Sequence, residues 1–426
     1  MARLAPGARA ARRATRAGKR GRGRDFLFYH APERAGRRRA RAMNRRASGM
    51  IRPRMGDDTG QPAGVGASSA SSASSAPSKA GGAGGAGGAA RAGGGLARWF
   101  GRHGALGPGL ALAVLCVVLA VISPDFRKPE NPLNILNQNA FVGLVAVGMT
   151  FVIIAGGIDL SVGSMVALLG GLSVYASNAA ASSWGLGPWA SVGVGSVVAV
   201  AGGAVAGSLN GALVVWGRVA PFIATLGTLA IFRSVIMTMA DGGEIRSGVP
   251  AYAEVGAGTH GIPLPITSSR GSALFLTYPS VAFLVCAALG QAVLSYSVFG
   301  RRVLSVGDNA TAARYAGVKV GRVTFAVYAL AGLLCGVAAF LLSSRMASVA
   351  SASAGKLYEL DAIAAVVIGG TAMRGGRGSV AGTVVGVLML GVITNALNLL
   401  GAPALLQDFF KGVIIIAAVL AQRAKA

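Results

Sequence analysis

The sequence predicts an all-α fold: a polytopic transmembrane helical bundle of about ten spans with both termini cytoplasmic. Three observations carry that reading. Of 426 residues, 53% are hydrophobic and only 13% are charged, about half the charged share of an average soluble chain. Mean hydropathy is +0.60, and 65 glycines supply the small residues that let membrane helices approach closely. Finally, no charged side chain interrupts residues 160–217, 271–300, 323–344 or 378–407. Runs of this length can cross the ~30 Å hydrocarbon core as helices with every backbone amide paired internally.

The chain divides into two unlike parts. Residues 1–98 read as a disordered arm, first Arg/Ala/Gly-rich and then Ser/Ala/Gly-rich, too poor in apolar residues to offset chain entropy. Met43, Met50 and Met55 each offer a later start within it. The net charge of +26 belongs largely to this arm: residues 1–100 hold 21 Lys/Arg against 4 Asp/Glu, the remainder 19 against 10. Without interleaved aromatics or a module signature, that charge predicts no nucleic-acid partner. The arm is not a signal peptide, because no apolar core follows its charges before Leu96. Residues 99–426 read as one membrane domain.

Taken in order, the spans read as 105–123, 137–156, 162–181, 189–215, 220–240, 279–298, 323–343, 361–373 with its flanks, 379–399 and 404–421. The eighth is short, because Gly369-Gly370 and nearby charges cut into it. Orientation follows from the basic residues of short segments. Arg98 and Arg102 precede the first span; Arg301, Arg302, Arg314, Lys319 and Arg322 fill the segment 299–322; Arg374 and Arg377 follow the eighth span; Arg423 and Lys425 end the chain. Ten spans place all four on one, cytoplasmic, side.

Four motifs stand out. In Gly156-Gly157-Ile158-Asp159-Leu160-Ser161, the carboxylate follows 28 uncharged residues and precedes 58 more. Such a charge is costly unless paired, hydrated or at a surface; capping the following helix is its expected role. Next, Asn210-Gly211 precedes Ala220-Pro221-Phe222-Ile223-Ala224-Thr225-Leu226-Gly227, where Pro221 opens a helix and Gly227 is expected at a close helix contact.

The third motif is Phe299-Gly300-Arg301-Arg302 followed by Gly307-Asp308-Asn309-Ala310-Thr311-Ala312-Ala313-Arg314-Tyr315-Ala316-Gly317. Asp308 or Asn309 can cap a short helix that Gly317 ends, a knob sized for a partner's groove. A plain cytoplasmic turn with topology-setting arginines is the simpler alternative. The fourth runs from Tyr358-Glu359-Leu360-Asp361 to Gly369-Gly370-Thr371 and on to Gly375-Gly376-Arg377-Gly378-Ser379. Its glycines suit close helix approach or a broken helix, while the absence of an acidic residue about 20 positions on argues against a dinucleotide fingerprint.

Several chemistries find no support. There is no Gly-x-x-x-x-Gly-Lys-Ser/Thr loop, so the chain carries no ATP site of that type. Cys116, Cys286 and Cys335 sit singly in apolar runs, and with three scattered histidines they suggest no disulfide framework and no metal site. No nucleophile and base are paired for hydrolysis.

Together, from about Asn134 to Gly401, these motifs resemble the permease subunits of ribose-type sugar ABC importers, a family that includes xylose, galactose and inositol permeases. Asp308, Arg233-Ser234, Arg374 and the long arm depart from the family pattern. The resemblance implies a multi-pass inner-membrane protein that is not itself an enzyme and binds no cofactor. It implies a separate ABC ATPase subunit using ATP and Mg, a periplasmic sugar-binding protein, and a second permease within the lipid bilayer, either a copy in a homodimer or a paired permease. It implies coupling to the ATPase through Gly300, Arg301, Asn309, Ala312, Ala313, Arg314 and Gly317. For the translocation or structural motif it implies Asp159, Ser161, Asn210, Pro221, Phe222, Thr225, Glu359, Asp361, Gly369, Gly370 and Thr371. The segment Asp241–Tyr278 is long enough to meet an exported protein. An ion-coupled secondary transporter is the competing class, with Asp159 and the Gly369-Gly370 break as its candidates.

Overall fold

The computed structural model describes residues 106–403 except 258 and 259, together with 408–410, 412, 413 and 416. The arm, His103, the flanking Arg98, Arg102, Arg423 and Lys425, and most of the expected tenth span lie outside the described residues.

Helices appear in this order: α1 Leu106–Ile122, α2 Glu130–Ile154, α3 Val162–Ser182, α4 Pro188–Val215 and α5 Pro221–Met239. Strand β1 (Glu244–Arg246), the short α6 (Pro250–Gly256), β2 (Gly261–Thr267) and β3 (Ala273–Thr277) follow. Then come α7 Tyr278–Tyr296, α8 Val298–Asp308, α9 Ala310–Tyr315, α10 Val320–Met346, β4 Ser348–Ala350, α11 Tyr358–Ile368 and α12 Val380–Leu399. Among the described residues seven of these, α2, α3, α4, α5, α7, α10 and α12, are long and apolar enough to cross a membrane, and α1 is a shorter apolar helix.

Burial ranks the spans. The most apolar window of α2 is 83% buried, against 28% for α5 and for α7, so α2 forms the centre and the other two present large apolar faces outward. Along the α4–α10 contact the backbones nearly touch. A Cβ on Gly203 would overlap the carbonyl oxygen of Gly332, one on Gly207 that of Tyr328, and one on Gly336 that of Ala199. Glycine at every fourth position of α4 (Gly203, Gly207, Gly211) thus builds a groove that α10 fills, a contact worth most in lipid, where apolar surface alone gives helices no reason to associate.

The strands add two small pairs to the all-helical expectation. β1 pairs antiparallel with β4 (Ile245 opposite Val349), and β2 with β3 (Ile262 opposite Leu276), all beyond the ends of α5, α7 and α10. Tyr252 of α6 is fully buried there, its hydroxyl 2.8 Å from Ser173 Oγ and 2.7 Å from Ser343 Oγ.

The eighth expected span is a half-helix. After β4 the chain runs irregularly through 351–357, with Gly355 and Leu357 at φ +64°, before the 11-residue α11 begins. Irregular backbone packed against a helix bundle survives only where its polar groups find partners. Arg233 of α5 is such a partner, donating to the carbonyl oxygens of Ser351 at 2.9 Å and Ala354 at 3.0 Å.

Candidate functional site

Two groups of expected residues are brought together, and others are not. The first group is a buried polar knot where α2 hands over to α3. Ser161 donates to Asp159 Oδ1 from its backbone N–H at 2.9 Å and from its hydroxyl at 2.7 Å. Asn210 Nδ2 donates to Asp159 Oδ2 at 3.2 Å and to Ser161 Oγ at 2.8 Å, while Thr228 Oγ1 donates to Asn210 Oδ1 at 2.8 Å. Asp159, Ser161, Asn210 and Thr225 are each fully buried, and Thr225 bonds the Pro221 carbonyl of its own helix at 2.9 Å. Every polar arm of the knot is thereby satisfied within the protein, as a low-dielectric site demands.

This geometry narrows the capping expectation for Asp159, whose carboxylate accepts the backbone amide of the N-cap residue itself. Ser161 is the N-cap residue of α3, and no side chain accepts from the first-turn amides. The carboxylate instead holds the amide of Ser161 one position earlier and ties it to α4. Pro221 opens α5 as expected, with the neighbouring Phe222 side chain 53% exposed. Gly227, expected at a close contact, has open space around it and faces outward; its helix is peripheral, so a small residue there answers to no neighbour.

The second group forms the face carrying α8 and α9. Ser297 caps α8 by accepting the Gly300 amide at 2.9 Å. Gly300 must be glycine, since a Cβ would overlap the carbonyl oxygens of Val293 and Leu294. Of the two capping candidates for the knob, the structure selects Asn309, whose Oδ1 accepts from Thr311 N at 3.0 Å and Ala312 N at 2.9 Å. Asp308 ends α8 instead. Gly317 closes the turn at φ +80°, a conformation glycine adopts without a Cβ penalty. Ala313 turns inward and is 3% exposed within the main core. The outward surface of α9 is therefore Ala310, Thr311, Ala312, Arg314 and Tyr315, the last 89% exposed. Arg301 is also exposed.

The knob connects directly to the bundle. A Cβ on Gly307 of α8 would fall on the carbonyl oxygen of Ile154, the same oxygen that accepts the Gly376 amide at 2.9 Å. The end of α2, the end of α8 and the Gly375-Gly376 turn after α11 so meet backbone to backbone. Gly307 and Tyr315 have no role assigned from sequence alone, although both lie in the motif that carries the short capped helix.

The α11 residues divide between its two ends. Glu359 and Asp361 lie in its first turn, with Glu359 against Gly163 of α3. Gly369, Gly370 and Thr371 lie at its other end, where Gly369 and Gly382 of α12 each leave no room for a Cβ on the other. Gly370 turns the chain at φ +91°, and Thr371 Oγ1 is buried without a hydrogen-bond partner among the described residues. Among the described residues no cluster of His, Cys, Asp or Glu suits a metal ion.

A bundle of membrane-length helices, with a half-helix packed against its central α2 and a small capped helix exposed at one end, is the architecture of a polytopic membrane protein. The family described as branched-chain amino acid transport system/permease component matches residues 131–419. The chain is 42% identical over 321 residues to a ribose import permease protein of Bacillus subtilis (strain 168), covering 75% of this chain and 93% of that one. It is 38% identical over 323 residues to the ribose import permease protein of Escherichia coli (strain K12), covering 74% and 92%. It is 33% identical over 342 residues to the xylose transport system permease protein of the same organism, covering 69% and 85%. No solved structure matches it significantly. The chain belongs to this permease family, in its ribose-type sugar ABC importer group.

Proposed function

We propose that the chain is the multi-pass inner-membrane permease subunit of an ATP-driven importer for a monosaccharide of the ribose type. The observation that carries this is the 42% identity to a ribose import permease across 93% of that protein's length. The geometry supports the same division of labour. A capped six-residue helix with an exposed Tyr315 offers a knob to an ATP-hydrolysing partner, which would use ATP and Mg. The paired strands and hairpin of 244–277 sit at the opposite ends of the spans, where a periplasmic sugar-binding protein would dock.

In this reading the membrane domain spans residues 99–426, crosses the bilayer about ten times with both termini cytoplasmic, and works as a homodimer, while residues 1–98 form an appended arm. The outward apolar faces of α5 and α7 suit lipid and a second copy. Coupling runs from Ala312, Arg314 and Tyr315 through Asn309, Gly307 and Gly317 into the bundle. Gly300 and Arg301 position α8, and Ala313 anchors α9 from the inside. Sugar would pass beside α11, near Glu359 and Asp361, with the Asp159 knot as scaffold. The test is reconstitution: uptake of radiolabelled ribose or xylose into proteoliposomes, with and without the partner ATPase, a binding protein and ATP. Uptake dependent on all three supports the reading; sugar uptake with none of them would overturn it.

A further inference from the structure

A cavity of about 650 Å³ lies between the end of α4, α9 and the first turns of α10. Trp216, Arg314, Gly317, Lys319, Arg322 and Phe325 carry its chemistry, and among the described residues no acidic side chain lines it. The Trp216 and Phe325 rings stand 5.1 Å apart at 40° and form one wall. Trp216 directly follows the last residue of one span and Lys319 directly precedes the first residue of another. The cavity therefore sits where both helices leave the hydrocarbon, the level at which Trp and basic side chains meet headgroups. Seven and eleven residues before Trp216, on the same face of α4, Leu209 is 46% and Val205 70% exposed.

We infer that this cavity is a headgroup site for one anionic phospholipid of the leaflet on the α9 side. The phosphate would lie among Arg314, Lys319 and Arg322, the glycerol backbone against Trp216 and Phe325, and an acyl chain along Leu209 and Val205. Charge complementarity selects an anionic over a zwitterionic headgroup, and the apolar stripe selects a lipid over a free anion. The site needs the membrane placement of α4 and α10 and the position of Arg314 on α9, none of which depends on the solute carried, so its success or failure is read separately from that of the sugar-importer assignment.

The test uses the full-length chain in phosphatidylcholine nanodiscs with Trp99, Trp184 and Trp189 replaced by Phe, leaving Trp216 as the reporter. A small fraction of brominated phosphatidylglycerol or brominated phosphatidylcholine is added, and quenching of Trp216 is compared. Stronger quenching by phosphatidylglycerol is expected, with selectivity falling about fivefold for each cation removed in Lys319→Gln and Arg322→Gln. Equal quenching by the two lipids, or selectivity untouched in those variants, overturns the inference. Displacement by millimolar inorganic phosphate would make this a phosphate site, and displacement by the ATPase subunit a partner contact; either overturns it too. Should the substituted chains fail to fold, native mass spectrometry of the unaltered chain decides. Co-purified phosphatidylglycerol that is released as salt rises supports the site, and retention indifferent to salt contradicts it.

Discussion

Asn210 Nδ2 and Asp159 Oδ2, 51 residues apart in sequence, meet at 3.2 Å with neither side chain exposed. Through this bond the turn between α2 and α3 is fastened to α4, and α4 in turn to α10 by its glycine ladder. Burying a carboxylate is costly, and the knot offsets that cost only while all its donors are present.

Asp159→Ala and Asn210→Ala should each destabilise the chain by about 2–3 kcal/mol, because each leaves buried polar groups unpaired. The double variant should lose at least about 1 kcal/mol less than the sum of the two. Thermal unfolding in detergent, followed by fluorescence size exclusion, measures all three. A changed sugar preference at normal yield would assign Asp159 to the path instead.

Gly207→Val should reduce folded yield severely, since its side chain would overlap the Tyr328 carbonyl oxygen and the Gly332 backbone. Gly227→Ala, with open space at its Cβ inside a helix, should hold or raise stability, by up to about 1 kcal/mol. Comparable losses for both would refute the ladder as the organising contact.

Arg233→Ala should loosen residues 351–357 by leaving two carbonyl oxygens unpaired, a loss of about 1–3 kcal/mol for each. Proteolysis or hydrogen exchange of that segment reports it, and Arg233→Lys should recover part of the protection. Unchanged exchange in the alanine variant would mean that the segment is held by other contacts.

Tyr315→Ala should impair coupling to the ATPase while leaving insertion intact, because its ring touches mostly solvent. Ala313→Phe should instead lower folded yield, because that position faces the core. A folded Ala313→Phe chain with normal yield would contradict the inward placement.

The spans were legible because runs such as 160–217 and 323–344 hold no charge, whereas a water-facing helix of that length needs a charged or polar face. Local signals were legible too: Pro221 opens α5, and Asn309 with Gly317 brackets α9. What the sequence concealed depends on distant partners. The break before α11 rests on Arg233, 118 residues from Ser351, and no window around Leu357 contains that guanidinium. The four-residue glycine spacing in α4 is visible in the sequence, but its partner on α10 is not. Asp159 reads as a cap when only its neighbours are considered; Asn210 gives it another task.

The most direct measurement is sugar accumulation in proteoliposomes holding the permease and its ATPase, with ATP inside the compartment matching the α9 face. The account predicts uptake that requires ATP and the ATPase and that falls sharply with Tyr315→Ala at unchanged protein content. Accumulation by the permease alone, driven by an ion gradient, would contradict it.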